Sequence, residues 1–366
     1  MTAVTTSNHA VPLVSVIVPA RNEQACLGPC LDSILAQRGV EFEIIVVDDA
    51  STDRTREIPE SKRCGPGLRP GAVRLISAPP LPEGRSGKCN AAQAGADAAR
   101  GQWLLFTDAD TIHLPGSLER SLREAREHGA DLLSYSPAQE VHGFVQKAVM
   151  PVIFAELAAN YRPKQVCDPA SPVAAANGQY LLIRREAYDA VGGHAAVSHT
   201  LLEDVALAQA VKRSGRRLRF RFGGDAVQTR MYRTWRDLRE GWTKNLALLF
   251  PQTSHLAAKR AIEFIIAAGG IGAATAGALR RNYFLLGVGL AVATPTLALL
   301  LRRTRRAHFG SAATLLSPIG LPIFVSLLLR SQLHYRRGQV SWKNRTYRFA
   351  IEQQGALARA ATPEHG

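Results

Sequence analysis

Residues 103–110 read WLLFTDAD, an apolar run that ends in two aspartates one residue apart. Residues 44–49 repeat the pattern as IIVVDD, and residues 14–18, VSVIV, form another β-rich run. Short apolar runs of this kind predict buried strands. The segments between them are helix-forming, as in the alanine-rich stretch 89–99. Strands that alternate with helices predict an α/β fold built on a mostly parallel sheet with helices on both faces.

Aspartates follow two of these strands, at the sheet edge where parallel sheets bind ligands. Ionised carboxylates are rarely buried without a partner, so Asp48, Asp49, Asp108 and Asp110 indicate a site. The pair Asp108 and Asp110 could share Mg²⁺ or Mn²⁺ with a diphosphate, since both ions prefer oxygen ligands. Asp-x-Asp alone is often a solvated turn, but the preceding strand and the second aspartate pair favour a site. Asp53 has a simpler interpretation as a helix N-cap.

The second half of the chain carries three apolar segments, 261–279, 283–301 and 309–329, each about as long as a membrane-spanning helix. Basic clusters flank them, and the net charge of the chain is +15. Their position favours anionic lipid headgroups at the cytoplasmic side of a membrane over nucleic acid as the partner. Pro318 and Pro322 are expected to kink the third segment or make it re-entrant, which favours two full spans and a broken third.

These features predict the following organisation: a disordered terminus at 1–12, a catalytic domain at 13–234, an amphipathic interfacial helix at 235–258, a membrane region of two to three helices at 259–330, and a basic tail at 331–366. The alternative for the amphipathic helix is that it packs on the domain surface. The first ten residues are polar, so no signal peptide or N-terminal anchor is expected. Five cysteines without paired spacing favour a reducing cytosol over disulfides or zinc.

Taken together, the motifs resemble those of the family 2 glycosyltransferases. Residues 16–23, VIVPARNE, resemble the family's opening strand and nucleotide-binding loop, and residues 47–53 resemble its uridine-binding segment. Residues 107–110 resemble its metal-binding motif, and residues 202–204 its catalytic acidic pair. The motifs occur in the family's order over about residues 13–250. The resemblance implies a nucleotide-sugar-binding fold of the glycosyltransferase A type, followed by C-terminal membrane helices.

The resemblance also implies roles for individual residues. Asp204 would be the base of an inverting transfer, with Glu203 beside it, although an acidic pair can also simply complement a helix N-terminus. Asp108 and Asp110 would hold the Mg²⁺ or Mn²⁺. The nucleotide sugar would bind at Pro19, Arg21, Glu23, Asp48, Asp49, Lys88 and Asp108, and the acceptor side would include Asn177, Gly178, Gln179, Arg233 and Trp235. His113 lies near the metal-binding motif and could contribute to it, but a hydrogen-bonded loop histidine is the favoured interpretation. Trp235 and Trp242 could stack on a sugar or anchor at the membrane interface, and anchoring is favoured.

The chain most resembles the branch of the family that acts on membrane lipids, such as hopanoid-associated and carotenoid glycosyltransferases, through residues 230–233, 241–245 and 342–347. This implies a UDP-sugar donor, a lipid acceptor and a multi-pass protein of the cytoplasmic membrane whose catalytic domain faces the cytoplasm. The Gln-x-x-Arg-Trp element of processive synthases is only approximated at 228–235, which favours transfer of one sugar over polysaccharide synthesis. An inactive, membrane-tethered nucleotide-binding protein is a further alternative. A dehydrogenase is disfavoured, because no G-x-G-x-x-G follows the first strand.

Overall fold

The computed structural model describes three stretches of the chain, residues 12–62, 73–342 and 345–348. The expectations for the first eleven residues, for Cys64 and for the end of the basic tail concern residues outside these stretches. The described chain divides into two compact units. The first contains the residues up to Ala138 together with Pro163–Thr229, and the second contains Gln139–Arg162 and the chain from Arg230 onward.

The described residues contain twelve strands and thirteen α-helices, numbered here in chain order. The strands are β1 Val14–Ala20, β2 Phe42–Asp48, β3 Val73–Ser77, β4 Trp103–Phe106, β5 Thr111–His113, β6 Leu132–Ser136, β7 Ala138–Gln139, β8 Leu181–Arg184, β9 Leu218–Phe222, β10 Val227–Thr229, β11 Gln339–Trp342 and β12 Arg345–Arg348. The helices are α1 Leu27–Leu35, α2 Glu57–Ser61, α3 Gly87–Ala98, α4 Ser117–Glu127, α5 Gly143–Asn160, α6 Pro163–Cys167, α7 Arg185–Ala190, α8 Gly193–Ala196, α9 Glu203–Arg213, α10 Trp235–Leu249, α11 Thr253–Leu279, α12 Tyr283–Thr304 and α13 Ser311–Arg336.

The first unit is built on a seven-stranded sheet in the order β3-β2-β1-β4-β8-β6-β9. The pairs β1–β2, β2–β3, β1–β4 and β6–β9 are parallel. The strand β8 runs antiparallel to both β4 and β6. The predicted mostly parallel sheet is therefore confirmed.

Helices cover both faces of this sheet because the strand side chains alternate. Val16 of β1 belongs to a core cluster that also contains Leu31 of α1 and Leu122 of α4. Ile17, the next residue, faces the other side, where α3 approaches so closely that a Cβ on Gly95 would lie 2.4 Å from the Ile17 side chain. The continuous apolar strands thus have protein on both sides, as expected for parallel sheets.

The strand register brings the two aspartate segments to one edge. Ala20 at the end of β1 pairs with Asp48 at the end of β2, and Ile17 pairs with Phe106 at the end of β4. Asp108 follows β4 by two residues. The carboxyl ends of the three strands therefore meet where the sequence predicted a site.

The second unit contains α5 together with α10 to α13. Helices α11 and α12 form an antiparallel hairpin with very close backbones. A Cβ added to Gly289 would lie 2.2 Å from the backbone nitrogen of Ala274, and one added to Gly277 would lie 2.4 Å from that of Leu286. Glycines at these positions allow the two helices to touch, as small residues do at helix interfaces in membranes.

Four charged side chains join α5 to one end of this hairpin. The Arg260 guanidinium lies 2.9 Å from the Glu156 carboxylate and 2.8 Å from that of Glu263. Arg303, near the end of α12, contacts the same two carboxylates at 3.3 and 3.1 Å. Glu156 and Arg260 are both buried, and the ion pairs give each of these buried charges partners of opposite sign. The sequence did not predict that α5, within the range 13–234, would pack with the C-terminal helices.

Helix α10 has the predicted amphipathic pattern, and a capping box between Thr234 and Asp237 begins it. Its apolar face is covered by protein. Trp242 is 2% exposed, and its indole nitrogen contacts the Met150 sulfur of α5 at 3.4 Å. The interpretation of Trp242 as an interfacial anchor is therefore wrong. Trp235, at the start of the helix, is 44% exposed.

Helix α13 continues through Pro318 and Pro322 as one helix of 26 residues. It packs closely on α5, since a Cβ on Gly320 would lie 2.0 Å from the Ala148 carbonyl oxygen. It also contacts α10, where the Tyr335 hydroxyl donates to the Lys244 main-chain oxygen at 2.7 Å. Contact with other helices explains why two prolines do not end it. The expectation that the third segment is broken or re-entrant is therefore wrong.

Within the described part of the chain, α11, α12 and α13 are long and apolar enough to cross a membrane. The first two bury only 17% of their most apolar window and expose large side chains, including Ile265, Phe284 and Leu299. The third buries 44% of its window. Apolar side chains exposed along whole helices indicate that the protein associates with a membrane.

Candidate active site

The loops that follow β1 and β2 are joined by a row of hydrogen bonds. The Asn22 amide donates to Ser51 Oγ at 3.0 Å, and its side-chain oxygen accepts from the Thr52 amide at 2.8 Å. The Glu23 amide donates to Thr55 Oγ1 at 2.8 Å. Asn22 has a left-handed backbone with φ 54°, which a short polar side chain tolerates well. These bonds fix the two predicted nucleotide-binding loops as one surface.

Both aspartates of the first pair are engaged by this surface. Asp48 is 2% exposed, and its carboxylate lies 2.8 Å from the Arg56 guanidinium and accepts from the Ser51 amide at 3.2 Å. Asp49 is 7% exposed, and Arg21 donates to its carbonyl oxygen at 2.9 Å. The structure thus brings Arg21, Asp48 and Asp49 together, as predicted. Glu23 takes part through its backbone.

Asp53 is the N-cap of a short 3-10 helix, Arg54–Arg56. Its carboxylate accepts from the Thr55 amide at 3.0 Å. It also accepts from the Gln24 amide at 3.2 Å, which ties it to the first loop. The N-cap interpretation is confirmed.

Lys88, at the start of α3, connects Asp108 with the acidic pair Glu203 and Asp204. Its Nζ lies 2.7 Å from Asp108 Oδ1 and 3.0 Å from Glu203 Oε1. Burial opposes its charged form, but the carboxylates of Asp108, Glu203 and Asp204 together hold the pKa of Lys88 well above its usual value. A Cβ on Gly178 would lie 2.9 Å from the same Nζ. The glycine therefore leaves the space that the ammonium group occupies.

Asp204 begins α9 beside Glu203, and backbone amides orient its carboxylate. The Gly178 amide donates to Oδ2 at 2.9 Å, and the Val205 amide donates to Oδ1 at 2.8 Å. Burial, followed by the negative charge of Glu203, raises the pKa of Asp204 to about 6. At neutral pH the carboxylate is mostly ionised, yet it is more basic than an exposed aspartate. These are the properties of a general base.

Asp108 and Asp110 lie on the turn after β4. The Thr111 hydroxyl donates to the Asp108 carbonyl oxygen at 2.7 Å, and Thr229 of β10 donates to that of Asp110 at 3.2 Å. Within the described stretches, no cluster of three or more histidine, cysteine or acidic side chains could enclose a metal ion. Two carboxylates still fit Mg²⁺ or Mn²⁺, because these ions commonly complete their coordination with substrate phosphates and water.

The predicted acceptor-side residues fall into two groups. Asn177, Gly178 and Gln179 belong to the first unit, and their acceptor-side role stays a prediction. The Asn177 side chain accepts from the Gln179 amide at 3.0 Å, and the buried Gln179 side chain donates to Thr229 Oγ1 at 3.2 Å. Arg233 and Trp235 belong to the second unit. Their acceptor-side role stays a prediction.

One pocket of the first unit is lined by three acidic residues, Asp108, Glu203 and Asp204, together with Pro19, Lys88 and Gly178. His194 and Phe106 also line it, and the sequence interpretation assigned neither. The signal for His194 was its place directly after Gly192-Gly193. His113 lies elsewhere in the core: Thr107 contacts its Nε2 at 3.0 Å, and burial lowers its pKa to about 4. The plainer interpretation of His113 as a hydrogen-bonded residue is consistent with these contacts.

Comparison with known proteins identifies a family for part of the chain. Residues 15–192 match the model described as Glycosyl transferase family 2. Those residues form a family 2 glycosyltransferase domain. The family 2 domain includes β1, β2 and β4 with their loops, Lys88, Asp108, Asp110 and Gly178. Glu203 and Asp204 follow it in sequence and share its pocket.

One sequence relative and one solved structure extend the comparison beyond the family 2 domain. The 4,4'-diaponeurosporenoate glycosyltransferase of Staphylococcus aureus (strain USA300) is 26% identical over 355 residues, which cover 94% of this chain and 90% of the relative. A mannosyltransferase from Pyrobaculum calidifontis, solved in complex with GDP-Man and Mn²⁺, superposes with a TM-score of 0.54 at 18% identity, over 89% of this chain and 87% of that one. The second comparison shows that the two proteins share a fold.

Proposed function

We propose that the protein transfers one sugar, with inversion, from a UDP-sugar to a polyprenoid, hopanoid or carotenoid-like lipid in the cytoplasmic membrane. The observation that carries the proposal is the Lys88 bridge between Asp108 and Glu203, next to the orientated carboxylate of Asp204. It unites a cation for a departing diphosphate with a base for an incoming hydroxyl. The likeness to a carotenoid glycosyltransferase over most of both chains supports a lipid acceptor.

The proposed reaction is a single displacement. The acceptor hydroxyl oxygen bonds to the anomeric carbon while the bond from that carbon to the diphosphate oxygen breaks. The bonding electron pair leaves with UDP, and the hydroxyl proton moves to Asp204. Lys88 stabilises the negative charge that develops on the leaving diphosphate, an effect that is strong where water is excluded. The loops around Arg21, Asp48 and Asp49 hold the nucleotide.

Asp108 and Asp110 would hold Mg²⁺ or Mn²⁺, which when bound neutralises charge on the diphosphate. The donor set of two carboxylates supports this assignment. The Asp110→Ala variant is expected to lose the dependence of UDP-sugar binding on added Mn²⁺. Titration of binding with and without chelator measures that loss, and an unchanged Mn²⁺ dependence would contradict the assignment.

We propose that α11 and α12 span the membrane and that the first unit faces the cytoplasm. Arg302, Arg305 and Arg306 are exposed at the end of α12, where they can meet anionic headgroups. In this arrangement α13, which buries more of its apolar window than α11 or α12, does not fully cross, and the basic tail stays at the cytoplasmic side. Single cysteines introduced in the tail should react with an impermeant thiol reagent only after the membrane is opened. Reaction in intact cells would overturn this topology.

The activity is tested with purified protein, lipid extract and either UDP- or GDP-sugars. We expect one glycosylated lipid from a UDP-sugar, and loss of its formation in Asp204→Asn. The exposed Asp189 offers a matched control, since Asp189→Asn should leave turnover unchanged. A ladder of products would instead indicate a polysaccharide synthase. Binding of UDP without turnover of any sugar would indicate a nucleotide-binding protein, and turnover that survives in Asp204→Asn would refute the assigned base.

A further inference from the structure

His194 lies in the wall of the active-site pocket, yet no step of the proposed transfer uses it. The side chain is 4% exposed and lines the same pocket as Lys88, Glu203 and Asp204. Its ring packs edge-on to Phe106, with centroids 4.5 Å apart. A buried polar ring in a pocket wall, supported on one side by an aromatic residue, is a candidate contact for a ligand.

Hydrogen bonds behind the ring determine which of its nitrogens carries the proton. The Gln93 side-chain oxygen accepts from the Ala195 amide at 2.9 Å, and its NH₂ donates to Asp97 at 2.8 Å, so the amide orientation is fixed. The Tyr188 hydroxyl lies 3.0 Å from that same oxygen and must donate its one proton there. At 2.9 Å from His194 Nδ1 the hydroxyl can then only accept, so Nδ1 carries the hydrogen.

The other ring nitrogen, Nε2, is therefore a hydrogen-bond acceptor. Among the hydrogen bonds of the described residues, those of His194 involve only its backbone amide and Nδ1. Burial lowers the pKa of His194 to about 4, so the ring is neutral at physiological pH and Nε2 keeps its lone pair. The nitrogen available to a ligand in the pocket accepts and does not donate.

The preceding glycine allows His194 to reach this position. Gly193 has a φ of +56°, and a Cβ there would lie 2.5 Å from the Tyr188 ring and 2.8 Å from the Gln93 side-chain oxygen. Any larger residue would move the tyrosine that orients the histidine. The turn at Gly192 and Gly193 thus holds His194 against its partners.

We propose that His194 Nε2 accepts a hydrogen bond from one hydroxyl of the sugar being transferred, and so helps to select the donor sugar. The inference rests on the proposed function. Asp108, assigned above to the diphosphate, and Asp204, assigned above to the acceptor hydroxyl, line the same pocket as His194. The group that lies between a diphosphate and an acceptor hydroxyl during transfer is the sugar itself.

Deoxy analogues of the preferred UDP-sugar, each lacking one hydroxyl, test the proposal in the full-length protein. For wild type, one analogue should lose about 10- to 100-fold in kcat/KM, because the buried acceptor is left unpaired. His194→Asn, which can keep the bond to Tyr188 but lacks an acceptor at the Nε2 position, should reduce that one penalty to less than about threefold. His194→Gln, which can return a polar group to that position, should restore part of it. His199→Asn, at an exposed position five residues away, is the matched control and should behave as wild type.

Binding of UDP alone should be unchanged in all variants, which separates sugar recognition from folding. An unchanged pattern of penalties in His194→Asn would overturn the inference and leave the proposed function intact. No turnover of any UDP-sugar by wild type would overturn both. If His194→Asn does not bind UDP, the test is ¹⁵N-histidine-labelled wild type. The Nε2 resonance, assigned by its absence in His194→Gln, should shift with the UDP-sugar but not with UDP, and equal spectra would overturn the inference.

Discussion

The pH dependence of transfer gives a direct test of Asp204 as the base. Its pKa of about 6 means that about nine-tenths of the carboxylate is ionised at pH 7 and about one-tenth at pH 5. Only the ionised form can take the proton, so kcat/KM should fall about tenfold between these pH values. In Asp204→Asn, kcat/KM should be about 10²- to 10⁴-fold lower, and the residual activity should lack this acid limb.

The neighbours of Asp204 predict how the midpoint of the limb moves. Glu203 raises the pKa of Asp204 and Lys88 lowers it. Glu203→Gln should therefore move the midpoint to lower pH, and Lys88→Met should move it to higher pH. Both variants should be slower than wild type, but the directions of the two shifts do not depend on the absolute rates.

The assay is the initial rate of sugar transfer to lipid from pH 5 to 8, with both substrates below saturation. UDP binding at each pH shows that the protein stays folded. Protonation of Asp204 does not itself unfold the protein, because the pKa of Asp204 in the folded state lies above its unfolded value of about 3.9. The folded state therefore binds this proton more tightly, and the contribution of Asp204 to folding stability increases as the pH falls below about 6. A midpoint near 4, or shifts of the two variants in the same direction, would refute Asp204 as the base.

Three substitutions test other parts of the structure. Gly178→Ala places a methyl group 2.9 Å from Lys88 Nζ and displaces the ammonium group, so kcat/KM should fall about 10- to 100-fold. The thermal unfolding temperature should stay unchanged, and an unaltered rate would contradict the role of the Lys88 bridge between Asp108 and Glu203. Gly289→Leu should destabilise the α11–α12 hairpin by about 1–3 kcal/mol, since its Cβ would lie 2.2 Å from the Ala274 backbone nitrogen. Thermal unfolding of the protein in detergent micelles measures this loss of stability. Arg260→Met leaves the buried Glu156 and the partly buried Glu263 with one cation fewer and should cost about 3–5 kcal/mol in the same measurement, whereas no change would show that the cluster is dispensable.

Much of the first unit could be predicted from sequence because its signals are local. Apolar runs gave the strands β1, β2 and β4, and the rule that parallel strands end at one edge placed Asp48 and Asp108 at the same edge of the sheet. Asp53 showed its capping role by spacing alone. Each of these inferences needs only neighbouring residues and the geometry of a parallel sheet.

The remaining features depend on contacts between distant parts of the chain. Periodicity shows that one face of α10 is apolar, but not whether lipid or protein covers it, and for Trp242 the cover is protein. The Lys88–Glu203 ion pair joins two helices that no local pattern links. His194 becomes visible as a site residue only when Tyr188 and Gln93 are seen behind it.

The position of α5 has a consequence for how the protein is made. The helix ends at Asn160, but α13, which packs along it, begins only at Ser311, about 150 residues later in synthesis. At about 5–20 residues per second, a ribosome needs about 8–30 s to supply that partner. Until then, the apolar surface of α5 around Val149 and Ile153 lacks the helix that buries it. Newly made chains that stop before α13 should therefore be substrates for chaperones or proteases, even when the nucleotide-binding half is already complete.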